Sequence, residues 1–381
     1  MPEKASSADV AIPELIFNDG RNAEPRKLVL LAAVGDVLLH APLQAWAARH
    51  NVGYSFLFAS TKDLITGAHV AFANLEGPAA RGVAPDGTVV PDPATIFDNN
   101  VYSGYPKFNY KPLIISELEN AGFSVVNTAN NHALDRKGVG VDRTIDSLNA
   151  AHMTFTGSRS SSAMGTPWNC ITSINVDGKT FSIAWLGCTF TTNQPDPLHQ
   201  TLNCYSDQAQ IKTIVSELAR DPNIHAVIVT PHWGVEYERA PRRNQVDWAQ
   251  EMVDAGATAI LGQHPHVIQP IQKMTSKDGI DVPVAYSLGN FVSGQSTVPR
   301  RASIILVLGL AQAKSGKLVV ARLGWIPIWM VQQNGYYAEP TAASKSPVAK
   351  KCYLDVAALL PLGNLLPPKL PFWDDSVASD S

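Results

Sequence analysis

No run of apolar residues in this chain is long enough to cross a bilayer. The longest, at 28–34 and 304–310, fall far short of the ~20 residues a spanning helix needs, and they read as buried central strands. Basic residues are not in excess. Thirty Lys and Arg against 33 Asp and Glu leave a net charge of -3, which gives no electrostatic footprint for nucleic acid. The first residues, MPEKASSADVAIPELIF, lack a basic segment followed by an apolar one, so no export signal is visible. As written the chain is expected in the cytoplasm, and outside it if a signal has been removed. Cysteine is scarce: Cys170, Cys188, Cys204 and Cys352 form no CxxC pair and no zinc-ribbon spacing. An exported protein could join Cys188 to Cys204, but buried or free thiols are the expectation. There is no internal repeat and no low-complexity tract.

What remains is an ordinary globular composition, 45% hydrophobic and 17% charged over 381 residues, enough for one large α/β domain or two smaller ones. Strands are expected in KLVLLAAVGDVLLH, HVAFANLEGP, FSVVNTANNHALD, HAVIVTPHWGVEYE, ATAILGQHPHVIQP and DVPVAYSLGNFV. Helical periodicity lies between them in KPLIISELENAG, GVDRTIDSLNAAH, DQAQIKTIVSELARD and NQVDWAQEMVDAGA. Strands alternating with helices argue for an α/β fold with a largely parallel sheet. ASIILVLGL and KLVVARLGWIPI, separated by AKSG, suggest an antiparallel hairpin closing the domain. Residues 81–108 are rich in Pro, Gly and Asp without periodicity, as functional or disordered loops are. The expected division is a leader or surface segment at 1–26, a domain at 27–330 and a Pro-rich C-terminal extension at 331–381.

Polar residues stand at the carboxyl ends of five of these strands, where the loops of an α/β sheet face a common crevice. Asp36 ends the first, and Asn74 and Glu76 the second. Asn130, Asn131 and His132 follow the third, His232 the fourth, and His264 and His266 the fifth. Carboxylate, amide and imidazole groups together suit a divalent cation without thiolate, and two ions could share one carboxylate. The HPH triplet is expected to be extended, which would put both imidazoles on one side. Asn131 is either a ligand or the cap of a helix beginning near Ala133. His132 is either an acid catalyst or a core histidine. Glu236 and Tyr237 either orient imidazoles or line the rim. Arg239, Arg242 and Arg243 would suit an anionic substrate, although a solvated basic run is the expectation. His40 has no motif context of its own and is expected to be structural or at the surface.

The series GDVLLH, NLEGP, TANNHALD, HWGVEYERAP, GQHPHVIQP and YSLGNF resembles, in order, the motifs of the CapA family of poly-γ-glutamate capsule synthesis proteins. That family is related to calcineurin-like metallophosphoesterases, and the resemblance spans about residues 27–327. It implies a metallophosphoesterase-like four-layer sandwich, two mixed sheets flanked by helices. It implies metal-ligand roles for Asp36, Glu76, Asn131, His232, His264 and His266, holding one or two ions of manganese, zinc or iron. His132 would donate a proton or stabilise developing charge, with Glu236 as a further catalytic candidate. The substrate would be a polyanionic polymer or a peptide, handled beside membrane-associated capsule machinery and hydrolysed or transferred by a metal-bound hydroxide. A metal-dependent epimerase acting at a peptide Cα, or a non-catalytic capsule component, are the alternatives. Two departures stand out. Leu38 occupies the position of a phosphoesterase histidine, and Glu76 that of an aspartate, which implies one weaker metal position.

Overall fold

Along the first strand, Val29–Leu38 (β1), Val29, Leu31 and Ala33 belong to one core while Ala32 and Val34 belong to another. Side chains alternate across a strand, so a strand covered on both faces must be apolar throughout. The computed structural model describes residues 12–17 and 28–373; the rest of the expected 1–26 segment lies outside the described residues. From β1 the chain runs through α1 (Ala41–His50), α2 (Lys62–Thr66), β2 (Val70–Leu75), α3 (Leu113–Asn120), β3 (Val125–Asn127), α4 (Lys137–Ala150) and β4 (Thr154–Thr156). Next come β5 (Cys170–Val176), β6 (Lys179–Thr189), α5 (Gln208–Arg220), β7 (Ala226–His232), α6 (Arg243–Ala255) and β8 (Ala259–Leu261). It ends with β9 (Ile271–Thr275), β10 (Asp281–Ala285), β11 (Asn290–Ser293), α7 (Val298–Arg301), β12 (Ala302–Gln312), β13 (Leu318–Val331), β14 (Tyr337–Pro340) and α8 (Pro347–Ala357).

Two mixed sheets result. The larger has the order β14-β13-β12-β1-β2-β3-β4, with β11 also beside β1, and the smaller β5-β6-β7-β8-β10-β9. Pairing is parallel from β1 to β4 and from β6 through β8 to β10, and antiparallel at the flanks. Phe72 and Trp185, with Ile228, Leu306 and their neighbours, fill the space between the sheets. Helices α1 to α4 cover the outer face of the larger sheet through Leu43, Ile65, Ile114 and Leu148. Helices α5 and α6 cover that of the smaller through Ile211, Val215, Trp248 and Met252. This is the expected four-layer sandwich.

The β12–β13 pair is the expected hairpin, but β12 lies directly against β1 at the middle of the larger sheet. Strands β5 and β6 went unforeseen. Ser173 and Asn175 break up the apolar pattern of β5, an edge strand, and Gly187 and Cys188 end that of β6. After Val331, α8 packs Ala349, Cys352 and Val356 into the space between the sheets, and Asn364 exchanges hydrogen bonds with the backbone of Leu15. Cys188 and Cys204 are joined, against the expectation of free thiols. Residue 189 bridges to 203, and the amide of Cys204 donates to the Thr189 carbonyl. That pairing brings the two Cα atoms to 5.1 Å, within the span of a disulfide.

The 81–108 segment is ordered without regular structure. Its carbonyls converge on Arg136, whose fully buried guanidinium donates to Val83, Asn100, Val101 and Lys107 and to the Ser103 hydroxyl. Asn109 links Ala80 to Val101 in the same way.

Where β1 crosses β11, a Cβ on Gly35 would lie 1.8 Å from the Gly289 carbonyl oxygen, the acceptor of the Asp36 amide at 3.0 Å. Gly35→Ala is therefore expected to cost about 2–3 kcal/mol, seen as a lower urea midpoint at unchanged slope. Gly165→Ala, where an added Cβ meets nothing, is expected to stay within about 0.5 kcal/mol of the parent. Equal stability of the two variants would remove this contact from its role.

Candidate metal centre

Both sheets end their parallel strands at the same edge of the sandwich. There the larger sheet supplies Asp36 from within β1, Glu76 just past β2 and Asn131 from the turn after β3. The smaller supplies His232 as the last residue of β7, with His264 and His266 beyond β8. All six are buried: Asp36, Glu76 and His232 are 0% exposed, His266 2%, and Asn131 and His264 4%. The HPH triplet is not extended. His264 and His266 have φ of 99° and 58°, a conformation that costs of order 1–3 kcal/mol per residue and gathers at functional sites. The turn still brings their ring centroids to 5.9 Å.

The polar atoms interlock. Asp36 Oδ1 accepts from Asn74 Nδ2 at 2.8 Å, and its Oδ2 lies 3.0 Å from His266 Nδ1. Nε2 of His232 stands 2.9 Å from Asn131 Oδ1 and 3.1 Å from His264 Nδ1. Oε1 of Glu76 is 3.6 Å from His232 Nε2 and 3.7 Å from His266 Nε2, yet neither of its oxygens accepts a hydrogen bond. Asp36, Glu76 and His232 form one group, and Glu76, His264 and His266 a second, in which all the ligand atoms lie within 4.8 Å of one another. Ligands on opposite sides of an ion at ~2.1 Å stand about 4 Å apart, so either group fits a cation after slight contraction, and Glu76 is common to both.

Protonation follows from burial and charge. Burial first, then Asp36, pushes the Glu76 carboxyl well up. Burial first, then the neighbouring histidines, holds His232 well below its ordinary range and His264 at about 3. Those two imidazoles are neutral at pH 7, with lone pairs free for a ligand's role. Burial lowers His266 too, but Glu76 and Asp36 outweigh it and raise the ring to about 9. The negative charge of the two carboxylates thus favours positive charge at this point.

Helix α4 begins at Lys137 with Arg136 as its N-cap, so Asn131 does not cap it. His132 Nδ1 is 2.7 Å from Asp135 Oδ2, which also accepts from the Phe108 amide at 2.8 Å, and the Phe108 ring meets His132 edge-on. Glu236 lies next to Tyr237, and its charge acts on Tyr237, Glu76 and His266. Arg239, Arg242 and Arg243 are each paired, with Asp355, Glu238 and Asp247, as a solvated run would be. Sequence reasoning missed three participants. Asn290 places Oδ1 3.0 Å from His266 Nδ1, and it lay in the quoted YSLGNF. Asp135, three residues after His132, carries the i,i+3 spacing that could have found it. His40 sits near His266 and His132, stacked edge-on against Phe108, and burial pushes it down to about 4. Leu38 instead packs in the outer hydrophobic layer past a bulge in β1 and offers no ligand.

Residues 30–295 match the family described as "Bacterial capsule synthesis protein PGA_cap". The chain belongs to this family. It is 28% identical over 299 residues to "Capsule biosynthesis protein CapA" of Bacillus anthracis, covering 75% of this chain and 64% of that one. It is 31% identical over 214 residues to "PGA biosynthesis protein CapA" of Bacillus subtilis (strain 168), covering 54% and 52%. The chain thus spans about half to two thirds of these relatives' lengths. Among solved structures, a hypothetical protein from Thermus thermophilus aligns with a TM-score of 0.42 at 14% identity, covering 78% of this chain and 98% of that one. The sulfate thiohydrolase SoxB of the same species aligns at 0.44 and 12%, covering 89% and 61%.

A His264→Ala, His266→Ala double variant is expected to fold but to carry far less metal than the parent. It should also lose the rise in melting temperature that added zinc or manganese gives a protein binding it only when native. Equal metal content by elemental analysis would remove both histidines from the centre. Affinity is expected to fall from pH 8 toward pH 5, because carboxylate and imidazole ligands must be deprotonated to hold a cation and take up protons in acid. A pH-independent affinity over that range would contradict this.

Proposed function

We propose that this chain is a metal-dependent enzyme of capsule metabolism that hydrolyses or transfers a polyanionic or peptidic polymer, with poly-γ-glutamate the first candidate. The observation that carries the reading is Glu76, a fully buried carboxylate without a hydrogen-bond donor, shared by two groups of metal-ligand type. A buried charge without a partner is costly enough that proteins pair it or give it to a metal. The names of the two Bacillus relatives support the capsule setting. The Cys188–Cys204 disulfide supports an oxidising, extracytoplasmic place of work, beside membrane-associated capsule machinery. No helix among the described residues is long and apolar enough to cross a membrane.

Asp36, Glu76, Asn131, His232, His264 and His266 would hold one or two divalent ions, and such an ion supplies Lewis acidity and an activated water. The chain's own groups do the rest. Asp135 fixes Nδ1 of His132 and leaves Nε2 as the atom that gives or takes a proton. Asn74 and Asn290 hold Asp36 and His266 in place. Phe108 and the 81–108 segment wall one side against water. Glu236 adds negative charge beside His266.

His132→Ala is expected to keep its metal and lose about 10²–10⁴-fold in turnover, the scale of a positioned acid or base; undiminished turnover would make His132 structural.

Because Leu38 offers no lone pair, simple phosphomonoesters are expected to turn over poorly even with added manganese or zinc. Side-by-side rates on aryl phosphates, phosphodiesters, γ-glutamyl oligomers and peptides test this. Fast phosphoester cleavage with no action on the peptidic substrates would restore an ordinary phosphoesterase. Solvent deuterium appearing at a peptide Cα without chain cleavage would make the enzyme an epimerase.

A further inference from the structure

We propose that Arg300 binds an anionic group of the substrate at the lip of this centre. Arg300 lies in α7, and its guanidinium carbon is 3.4 Å from the centre of the Tyr237 ring. That ring is 6.2 Å from the His266 ring. The tyrosine is itself fixed through its backbone, whose amide donates to the Pro265 carbonyl at 2.8 Å. The backbone of Arg300 is tied to the same histidine. Its carbonyl accepts from Asn290 Nδ2 at 2.9 Å, while Asn290 Oδ1 stands 3.0 Å from His266 Nδ1. Two routes, one through the stack and one through the backbone, therefore hold this arginine beside the metal-ligand cluster.

Its charge is uncommitted. Arg239, Arg242 and Arg243 each have their own carboxylate, whereas among the described residues none stands within ion-pair distance of Arg300. The side chain is half-buried and Tyr237 is 38% exposed, so the fork is both preorganised and reachable. A guanidinium held flat on an aromatic ring loses little freedom on taking up a carboxylate or phosphate in two parallel hydrogen bonds. Arg300 is thus a specificity residue for an oxoanion. Resting on the reading of a poly-γ-glutamate substrate, the oxoanion is the free α-carboxylate that each γ-linked glutamate carries; a phosphate ester would use the same fork.

The test is equilibrium binding by calorimetry to the full chain, using a γ-glutamyl pentamer, its α-methyl ester and an aryl phosphate. Arg300→Met is expected to bind the pentamer at least about tenfold more weakly than the parent, at unchanged metal content. Arg300→Lys, which keeps charge but not the fork, is expected to fall between. The methyl ester is expected to bind parent and variant alike, and more weakly than the pentamer does the parent. Equal binding of the pentamer to parent and both variants overturns the role of Arg300 and leaves the substrate reading standing. Equal losses for pentamer and methyl ester also overturn it, because the effect would then be structural. If the parent ignores the pentamer but binds aryl phosphate through Arg300, the residue's role stands and the polyglutamate reading falls. If Arg300→Met fails to fold, the Arg300→Lys comparison decides by the same criteria.

Discussion

Two carboxylates buried side by side without enough donors are the constraint around which this molecule is arranged. Asp36 has one amide donor and one imidazole neighbour, and Glu76 has neither oxygen satisfied. Both are 0% exposed, and removing a carboxylate from water costs several kcal/mol even after relaxation. Such a pair persists only if the surrounding frame over-determines it. The frame here is rigid by construction, because both groups hang from the centre of a sheet buried on both faces. The backbone contact between Gly35 and Gly289 leaves Asp36 no room to retreat.

A second buried charge in the same molecule is handled differently. The guanidinium of Arg136 is as inaccessible as Glu76, but it is surrounded by carbonyl oxygens and a hydroxyl. Its donors match acceptors almost one for one, so it organises a loop that has no secondary structure to organise it. The contrast is informative. Where the chain needs a charge for architecture, it supplies complementary backbone groups; at Glu76 it withholds them. Withholding donors lowers the cost of exchanging a proton for a cation, because no internal hydrogen bond has to break first.

The central strands and the polar residues at their ends were legible because burial on both faces leaves long apolar runs, and a polar residue interrupts such a run abruptly. Asp36, Glu76, His232 and the HPH pair all announce themselves that way. The sheet edges were not legible. In β5, alternate residues face solvent, and Ser173 and Asn175 dilute the apolar signal. Conformation at the site was hidden as well: nothing in the letters HPH distinguishes an extended triplet from one with two positive φ angles. The joining of Cys188 to Cys204 depends on a pairing between residues 189 and 203 that no local spacing encodes. Asn290 lay within a quoted motif and His40 was expected to be structural or at the surface, but their closeness to His266 arises only when β11 and the start of α1 fold back over the crevice.

The division of labour between the sheets gives the centre a further consequence. The larger sheet contributes the negative charge and an amide, through Asp36, Glu76 and Asn131, and the smaller contributes the imidazoles of His232, His264 and His266. Among the described residues no ladder of paired strands joins the two sheets; apolar packing holds them face to face. A cation at this edge would add to the directed contacts that already cross between the layers, such as those of Thr156 with the backbone of Trp185 and Gly187 and of Asp36 with His266, and its binding free energy would act on their separation. His264 Nδ1 and His232 Nε2 already stand at 3.1 Å, while the distances from Glu76 to the imidazoles are longer, at 3.6 and 3.7 Å. The slack lies at Glu76 alone, since Asp36 and Asn131 already meet His266 and His232 across the seam at 3.0 and 2.9 Å. An ion bound there would take up that slack through Glu76, so the same contact that assembles the chemistry would add one more tie between the sheets at this edge.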